Sequence, residues 1–561
     1  MKPKRHNTMP CSLAAWLLAW GLTLHWAGCD VDRPATPHQK ELAQEKRLSA
    51  EVPEADAAIP LSAKEKAHIV VVAMYDRPRH LNPALRIGTW GYRVAMDNVY
   101  EPLVRRNPKT MRVEPWLATH WTVSPDGRTY TFTIRQGVRW HDGKQLTARD
   151  VWFSLNRVLV PKVPIGTFRT DIRDALQRVD IPGPWTVRVV LRTPNGFFLD
   201  SLTEYPILPQ HLFAKGMSPS SPASRRPVGT GPFRFSEWKK SDHIDLVRNQ
   251  SYWGPVPDIH KIRFKLVEDR AKALTLLKRG DIDILPDMIR EHYPDQVTPR
   301  VRELFNVLKF AAPGFSYIIW NTRNKMLSDF RVRRALTMLM DRKRLVTEVH
   351  HGLARLIAGP YWRPAGLGDP KLEPWPYDPV EARNLLDSAG WRDRDGDKIR
   401  DKNGVPMRIV LLAPVRAPVL TDEMKVMTAE FAKSGVALVA VPTDWPMMKR
   451  MLRAGRFTAA ALQWVGRPAE DLSRLFHSSG KDNFGVITNL LLDQLLIRLR
   501  TVRKPARRAA LSAKIERILH SYQPVTFLHA PVSVALAHKR LEGLRLGPGW
   551  FNFAQVRIKT P

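Results

Sequence analysis

Apolar and polar positions alternate most clearly from Thr129 to Arg135, where Tyr130, Phe132 and Ile134 share one side. A period of two with one apolar face predicts a half-buried strand. Asp126-Gly127 before it and Asp142-Gly143 after it supply turns. Ile69 to Ala73 is a short apolar run and reads as a buried strand. Thr147 predicts the cap of a helix, with Asp150 at its third position and Leu155, Val158 and Leu159 turned inward. A second helix follows Tyr377: Asp378 caps it, Pro379 suits its first position, and Glu381 completes a capping-box pattern. Its apolar stripe is Ala382, Leu385, Leu386 and Ala389, and Gly390 ends it. A third helix begins near Pro505 and buries Leu511, Ile515, Ile518 and Leu519. Strands and helices go on alternating irregularly, which predicts mixed α/β lobes. The body shows no internal repeat, and no composition shift marks a linker.

The first residues break this pattern. Lys2, Lys4 and Arg5 precede an apolar stretch from Cys11 to Leu24, followed by Trp26-Ala27-Gly28-Cys29. The stretch is short for a bilayer span, and 1–28 reads as an export signal. Its end resembles a bacterial lipobox, in which cleavage falls before the cysteine and a lipid is attached to the Cys29 thiol. Trp26 stands where such boxes usually carry Leu. Asp30 resembles an inner-membrane retention signal. Residues 29–66 are rich in Pro, Ala, Glu and Lys and predict a flexible tether.

Composition then narrows the class. The 561 residues are 44% hydrophobic and 25% charged, which excludes a wholly disordered, collagenous or polytopic membrane chain. The two cysteines, Cys11 and Cys29, both lie in the leader, so the body has no disulfide framework, CxxC pair or cysteine zinc site. Lys+Arg 88 against Asp+Glu 54 gives a formal net charge of +34, which admits a binder of nucleic acid or another anionic polymer. Arg498, Arg500, Arg503, Lys504, Arg507 and Arg508 flank helical apolar stripes, however, and read as a solvated face. The export signal also argues against DNA in the cytoplasm, so no nucleic-acid partner is expected. A cationic surface suits a tethered protein facing anionic lipid.

Motifs of catalysis are missing. There is no HExxH, no GxSxG and no P-loop, so no enzyme, metal or cofactor is expected. Gly229, Gly231 and Pro232 read as a tight turn, because the phosphate-binding Lys-Ser/Thr is absent. Asp393, Asp395 and Asp397 suggest a calcium loop, but Lys398 and Gly404 stand where an EF-hand needs Gly and Glu, which leaves a polar hairpin turn. His350 and His351 are adjacent, so their side chains diverge in a helix and no metal is assigned to them.

One family carries many of these segments at once. Asn98-Val-Tyr-Glu-Pro-Leu-Val104, Glu114-Pro-Trp-Leu-Ala118 and the run from Asp126 to Gly143 resemble the solute-binding proteins of peptide and nickel ABC importers, family 5. Leu146–Val151, Val228–Phe233, Asn249–Gly254 and Gly280–Asp283 continue the likeness. So do Arg331–Leu336 with Asp341-Arg342, and Tyr377–Pro379 with Leu385–Trp391. These blocks keep family order over about 67–550. Arg331, Arg333 and Arg334 among them read as a helix face rather than a ligand site.

The resemblance implies an α/β, two-lobed periplasmic-binding-protein-like clamp of the large class II, with an extra subdomain in lobe I. It implies crossings near Pro313–Phe315 and Pro524–Phe527, hence lobe I from 67–312 with 528–561 and lobe II from 313–527. The function it implies is capture of a peptide or similar small solute and delivery to ABC permease subunits, by a periplasmic monomer held to the membrane through its lipid anchor. A ligand-sensing lipoprotein uncoupled from transport is the rival on the same fold.

Peptide-binding members contact ligand through a Trp-x-x-Asp segment, whose Asp holds the α-ammonium. Here Trp464 is in place and Arg467 replaces the Asp. A cation there favours a carboxylate or phosphate. Glu470 and Asp471 lie close enough to substitute after a small loop shift, and a second reading leaves Arg467 solvated on the surface. On lobe I the loop Ile87-Gly-Thr-Trp90 corresponds to one that offers an extended strand to ligand, which makes Thr89 and Trp90 candidates, Trp90 reading equally as core.

Overall fold

A buried carboxylate ties four of the family blocks together. Glu101 is 2% exposed and accepts hydrogen bonds from Trp116 Nε1 (2.9 Å), Thr230 Oγ1 (2.8 Å), Tyr252 OH (2.8 Å) and Trp253 Nε1 (2.9 Å). These donors come from segments up to 152 residues away in sequence. A buried charge is tolerated when its lone pairs are answered in this way. Gly229 and Gly231 belong to the same knot. A Cβ on Gly229 would meet the Val99 carbonyl at 1.7 Å, and one on Gly231 would meet the Asn98 carbonyl at 2.4 Å. Close backbone approach, rather than a left-handed turn, requires glycine at both positions.

The computed structural model describes residues 69–157, 159, 170–415, 418–547 and 550–559. The export signal, Cys29, the tether and Val158 lie outside the described residues. All described residues fall in one compact unit, Ile59–Pro561.

Its frame is a twelve-stranded sheet. Along the main path the order is Ala437–Thr443, Arg408–Pro414, Ala459–Val465, Gly314–Trp320, Val525–His538, Ile284–Leu285, Ile69–Met74, Lys261–Leu266, His243–Arg248 and Phe233–Lys239. Phe305–Ala311 and Ala354–Leu356 also pair with Val525–His538. That long strand belongs to both halves of the molecule. Val525 to His529 pairs antiparallel with Gly314–Trp320, and Val532 to His538 pairs antiparallel with Phe305–Ala311. The exchange of partners therefore falls at 529–532 on this strand and at 312–313 on the other. Separate apolar cores fill the two halves, one around Phe264 and Phe551, another around Trp320 and Phe431.

A second sheet, Ala118–Val123, Thr129–Ile134, Thr186–Leu191 and Leu176–Gly183, forms a subdomain with its own core. Tyr130, Phe132 and Ile134 are buried and alternate with half-buried threonines, as the period of two predicts. The helix Ala148–Arg157 packs on this sheet. The Thr147 amide donates to Asp150 Oδ2 (2.9 Å), and the Arg149 amide donates to Thr147 Oγ1 (3.3 Å). Leu155 is fully buried and Leu159 is half-buried against the same core.

The helix after Tyr377 spans Pro379–Ser388, and Asp378 accepts from the amides of Val380 and Glu381. Only half of the capping box forms. The Asp378 amide donates to the Met338 carbonyl, and the Glu381 carboxylate takes Asn384 instead. The helix Pro505–Tyr522 buries Leu511, Ile515 and Leu519, with Ile518 half-buried. Asp393, Asp395 and Asp397 are exposed and accept from local amides of an irregular turn. Arg333, on the helix Phe330–Met338, is fully buried and donates to the carbonyls of Leu327, Ser328, Tyr522 and Gln523. It ties that helix to the end of Pro505–Tyr522. No described helix is long and apolar enough to cross a membrane.

Candidate functional site

The two halves meet around a cavity of about 470 Å3. One wall is the segment 86–97, another is the loop 463–468, and the floor is the crossing residues Ala312, Pro313 and Gly314 with Pro531 and Ser533. A volume in the range of about 300–1,000 Å3 suits a small solute.

The segment 86–97 is not the extended strand expected from Ile87–Trp90. A helix runs from Thr89 to Ala95, and helical spacing sorts its side chains. Thr89, Tyr92, Arg93 and Met96 line the cavity, while Trp90, Gly91, Val94 and Ala95 are buried in the core. Trp90 is thus corrected from ligand candidate to core residue. It packs edge-on against Tyr75 and Phe551, with centroids at 5.6 and 5.9 Å, and does not line the cavity. A Cβ on Gly91 would meet the His80 carbonyl at 2.8 Å, so the helix has no room to turn.

On the facing half, Trp464 and Arg467 both line the cavity. Trp464 is the penultimate residue of the strand Ala459–Val465, and its indole Nε1 donates to Glu470 Oε1 (2.5 Å). Arg467 is buried, 8% exposed, rather than solvated. Its guanidinium reaches across the cleft, donating to Asp171 and to Ser201 Oγ (3.2 Å). Glu470 Oε2 lies 4.0 Å from its Nε. The positive charge expected to attract an anionic ligand is therefore already answered by a carboxylate of the opposite lobe. Glu470 and Asp471 do not substitute for the missing Asp. Glu470 is held by Trp464, and Asp471 accepts from the Ser473 amide (2.9 Å) and faces Arg500 at 3.6 Å.

Further bonds close the same seam. Arg508, expected on a solvated face, lies 4.2 Å over the Phe197 ring and donates to Asp200 Oδ2 (3.1 Å). Asp200 also accepts from Arg106 (2.7 Å). The Gly196 amide donates to the Arg500 carbonyl at 2.6 Å, and a Cβ there would meet the Val502 carbonyl at 2.3 Å. Arg498, Arg503, Lys504 and Arg507 are exposed.

The acids of the cavity come from the other lobe, and sequence reasoning missed them. Asp97 and Glu204 both line it. Asp97 follows the helix with a left-handed φ of 64°, and its carboxylate has no hydrogen-bond or ion-pair partner among the described residues. Burial pushes this carboxyl up, and repulsion from Glu101 and Glu204 outweighs attraction from Arg105, bringing it to about 7. Arg93 also lines the cavity but is engaged by both carboxylate oxygens of Asp287. The one signal in the sequence was position: Asp97 directly precedes the Asn98 block.

Among the described residues, three groups of His and acidic side chains lie close enough to share an ion. They are Asp393/Asp395/Asp397, Glu237/His243/Asp245 and His350/Glu423/His529. The first two are wholly or partly exposed, and the third is buried. None lines the interlobe cavity.

Residues 112–485 match the sequence profile of the bacterial extracellular solute-binding proteins, family 5 Middle. The oligopeptide-binding protein AppA of Bacillus subtilis is 27% identical over 471 residues, covering 81% of this chain and 84% of the relative. Heme-binding protein A of Haemophilus influenzae is 27% identical over 509 residues, covering 86% and 90%. The solved structure of HbpA2 from Haemophilus parasuis superposes with a TM-score of 0.78 at 24% identity, covering 88% of this chain and 100% of that one. The fold is accordingly the two-lobed class II clamp of periplasmic binding proteins.

Proposed function

The chain belongs to family 5 of the bacterial extracellular solute-binding proteins, and we propose that it captures a short peptide, or another small solute with a free amine, in the interlobe cavity. It is an extracytoplasmic, non-catalytic binding protein that delivers its ligand to an ABC permease. The observation that carries the ligand reading is Asp97: a carboxylate without a hydrogen-bond or ion-pair partner among the described residues, lining a cavity built by both lobes. An ammonium is the group that completes such a site, because pairing removes the cost of a buried charge. Thr89 and Trp464 are then contact residues on opposite walls. Arg467 acts as an interlobe latch through Asp171 rather than as an anion receptor.

Lobe I is assigned to 67–312 with 528–561 and lobe II to 313–527. The exchange of strand partners at 312–313 and 529–532 supports crossings at or within a few residues of those bounds. Export with lipidation at Cys29 and a tether over 29–66 rest on the leader sequence, and the protein is assigned as a membrane-anchored monomer.

Mass spectrometry of small molecules released from protein purified from its native source tests the ligand reading. A compound carrying a free amine, whose affinity falls at least tenfold in Asp97→Asn, is the expected result. An amine-free ligand bound equally by both proteins would overturn it.

A further inference from the structure

Glu423 stands apart from the other buried carboxylates. Glu101 is answered by four neutral side-chain donors and Glu516 by Arg363 at 2.7 Å. Glu423, 0% exposed, is met by two imidazoles at a single oxygen. His350 Nε2 lies 2.6 Å and His529 Nε2 2.7 Å from Glu423 Oε1. The two rings are 4.0 Å apart, and the histidines are 2% and 4% exposed. Among the described residues no lysine or arginine bonds this carboxylate. Arg290 lies within electrostatic reach of His350.

The cluster is also under-satisfied. Glu423 Oε2, His350 Nδ1 and His529 Nδ1 are buried and find no hydrogen-bond partner among the described residues. A buried polar network normally uses its lone pairs, and an open Glu423 Oε2 beside two imidazole nitrogens crowded on Oε1 points to a missing member between them. The backbone is shaped around it. His350 follows a π-helical turn, Leu345–Val349, a rare geometry that recurs at functional sites. After it, His351 and Gly352 take left-handed φ of 49° and 72°, reversing the chain into the strand Ala354–Leu356. That strand pairs Leu356 with His529, so His350 and His529 are brought together by register. The helix Pro418–Ala432 supplies Glu423 from outside.

We propose that His350, Glu423 and His529 form a buried site for one divalent transition-metal ion of the zinc class. Two imidazole nitrogens and a carboxylate make a donor set suited to zinc, and hard cations such as calcium prefer oxygen alone. The ligand atoms already lie within 4.8 Å of one another. Tetrahedral bonds of about 2.0–2.1 Å set ligand atoms about 3.3 Å apart, so on binding the imidazoles withdraw from Oε1 by roughly 0.7 Å, and the unpartnered Oε2 offers a further donor. The metal pins the helix and the π turn to the long strand beside its exchange of partners, close to Pro531 and Ser533 of the cavity wall. This revises the expectation that His350 holds no metal. Adjacent His351 takes no part.

Tag-free full-length protein, stripped with chelator and titrated with Zn2+ and Co2+, tests the site. One equivalent of Zn2+, a raised Tm and intense tetrahedral cobalt absorption are expected. Glu423→Gln and His529→Gln should each weaken Zn2+ by about a hundredfold or more. His351→Gln and His243→Gln should bind as the wild type does. Absence of the cobalt absorption in wild-type protein overturns the proposal, whether or not the variants fold. So does unchanged Zn2+ affinity in folded Glu423→Gln, or equal loss in His243→Gln.

Discussion

Asp97 and Glu101 lie four residues apart, and the contrast between them separates scaffold from site. Glu101 has every lone pair employed and holds blocks around 101, 116, 230 and 252–253 in one knot. Asp97 sits at the lip of that knot, lines the cavity, and has no hydrogen-bond or ion-pair partner for its carboxylate among the described residues. A satisfied buried acid organises the fold; an unsatisfied one beside a cavity is held ready for something the protein does not supply.

The contrast breaks first if Glu101 proves dispensable. Glu101→Ala leaves four donors, two buried and two half-buried, without an acceptor and should cost at least about 3 kcal/mol in urea unfolding. A loss under about 1 kcal/mol would mean that the knot is held by packing alone. Next, Arg467→Ala removes the latch to Asp171. Because the Asp171 side chain is 45% exposed, solvent screens this pair. Ligand affinity should fall about tenfold, near 1.4 kcal/mol, by tryptophan fluorescence. Arg467→Asp should weaken it further, since it sets like charges across the cleft. An anionic ligand whose loss in Arg467→Ala far exceeds that in Asp171→Asn would restore Arg467 as its receptor.

The sign of the pH dependence sharpens the Asp97 side. Its folded value, about 7, is raised above the unfolded one. The ligand-free protein therefore binds an extra proton between about pH 4 and 7. That contribution to stability is complete below the unfolded value and is lost as pH rises through about 7. Affinity for an ammonium runs the other way: it should be stronger at pH 8 than at pH 6, with the difference abolished in Asp97→Asn. Smallest of all, Lys481→Ala should change affinity less than about twofold, because Lys481 is 80% exposed and only 3.7 Å from an exposed Asp174.

Local features were legible where local rules govern them. The Thr147 and Asp378 caps, the strand at Thr129–Ile134 and the stripe of Pro505–Tyr522 follow from neighbours a few residues apart. Trp464 and Arg467 were placed by a motif and do line the cavity. Trp90 reads equally as ligand contact or core from the chain, and it is core because helical spacing, rather than an extended loop, turns it inward. Asp97, Glu204 and the His350–Glu423–His529 cluster were not legible. Their meaning depends on partners 73 to 179 residues away or on a cavity between lobes, neither of which leaves a pattern in the chain.

The most direct test is carboxyl NMR titration of Asp97, assigned by comparison with Asp97→Asn, in free and ligand-loaded protein. A titration near pH 7 when free, falling by more than a unit on loading, is the predicted result. An Asp97 that titrates near 4 when free, or whose titration ignores the ligand, would contradict the account.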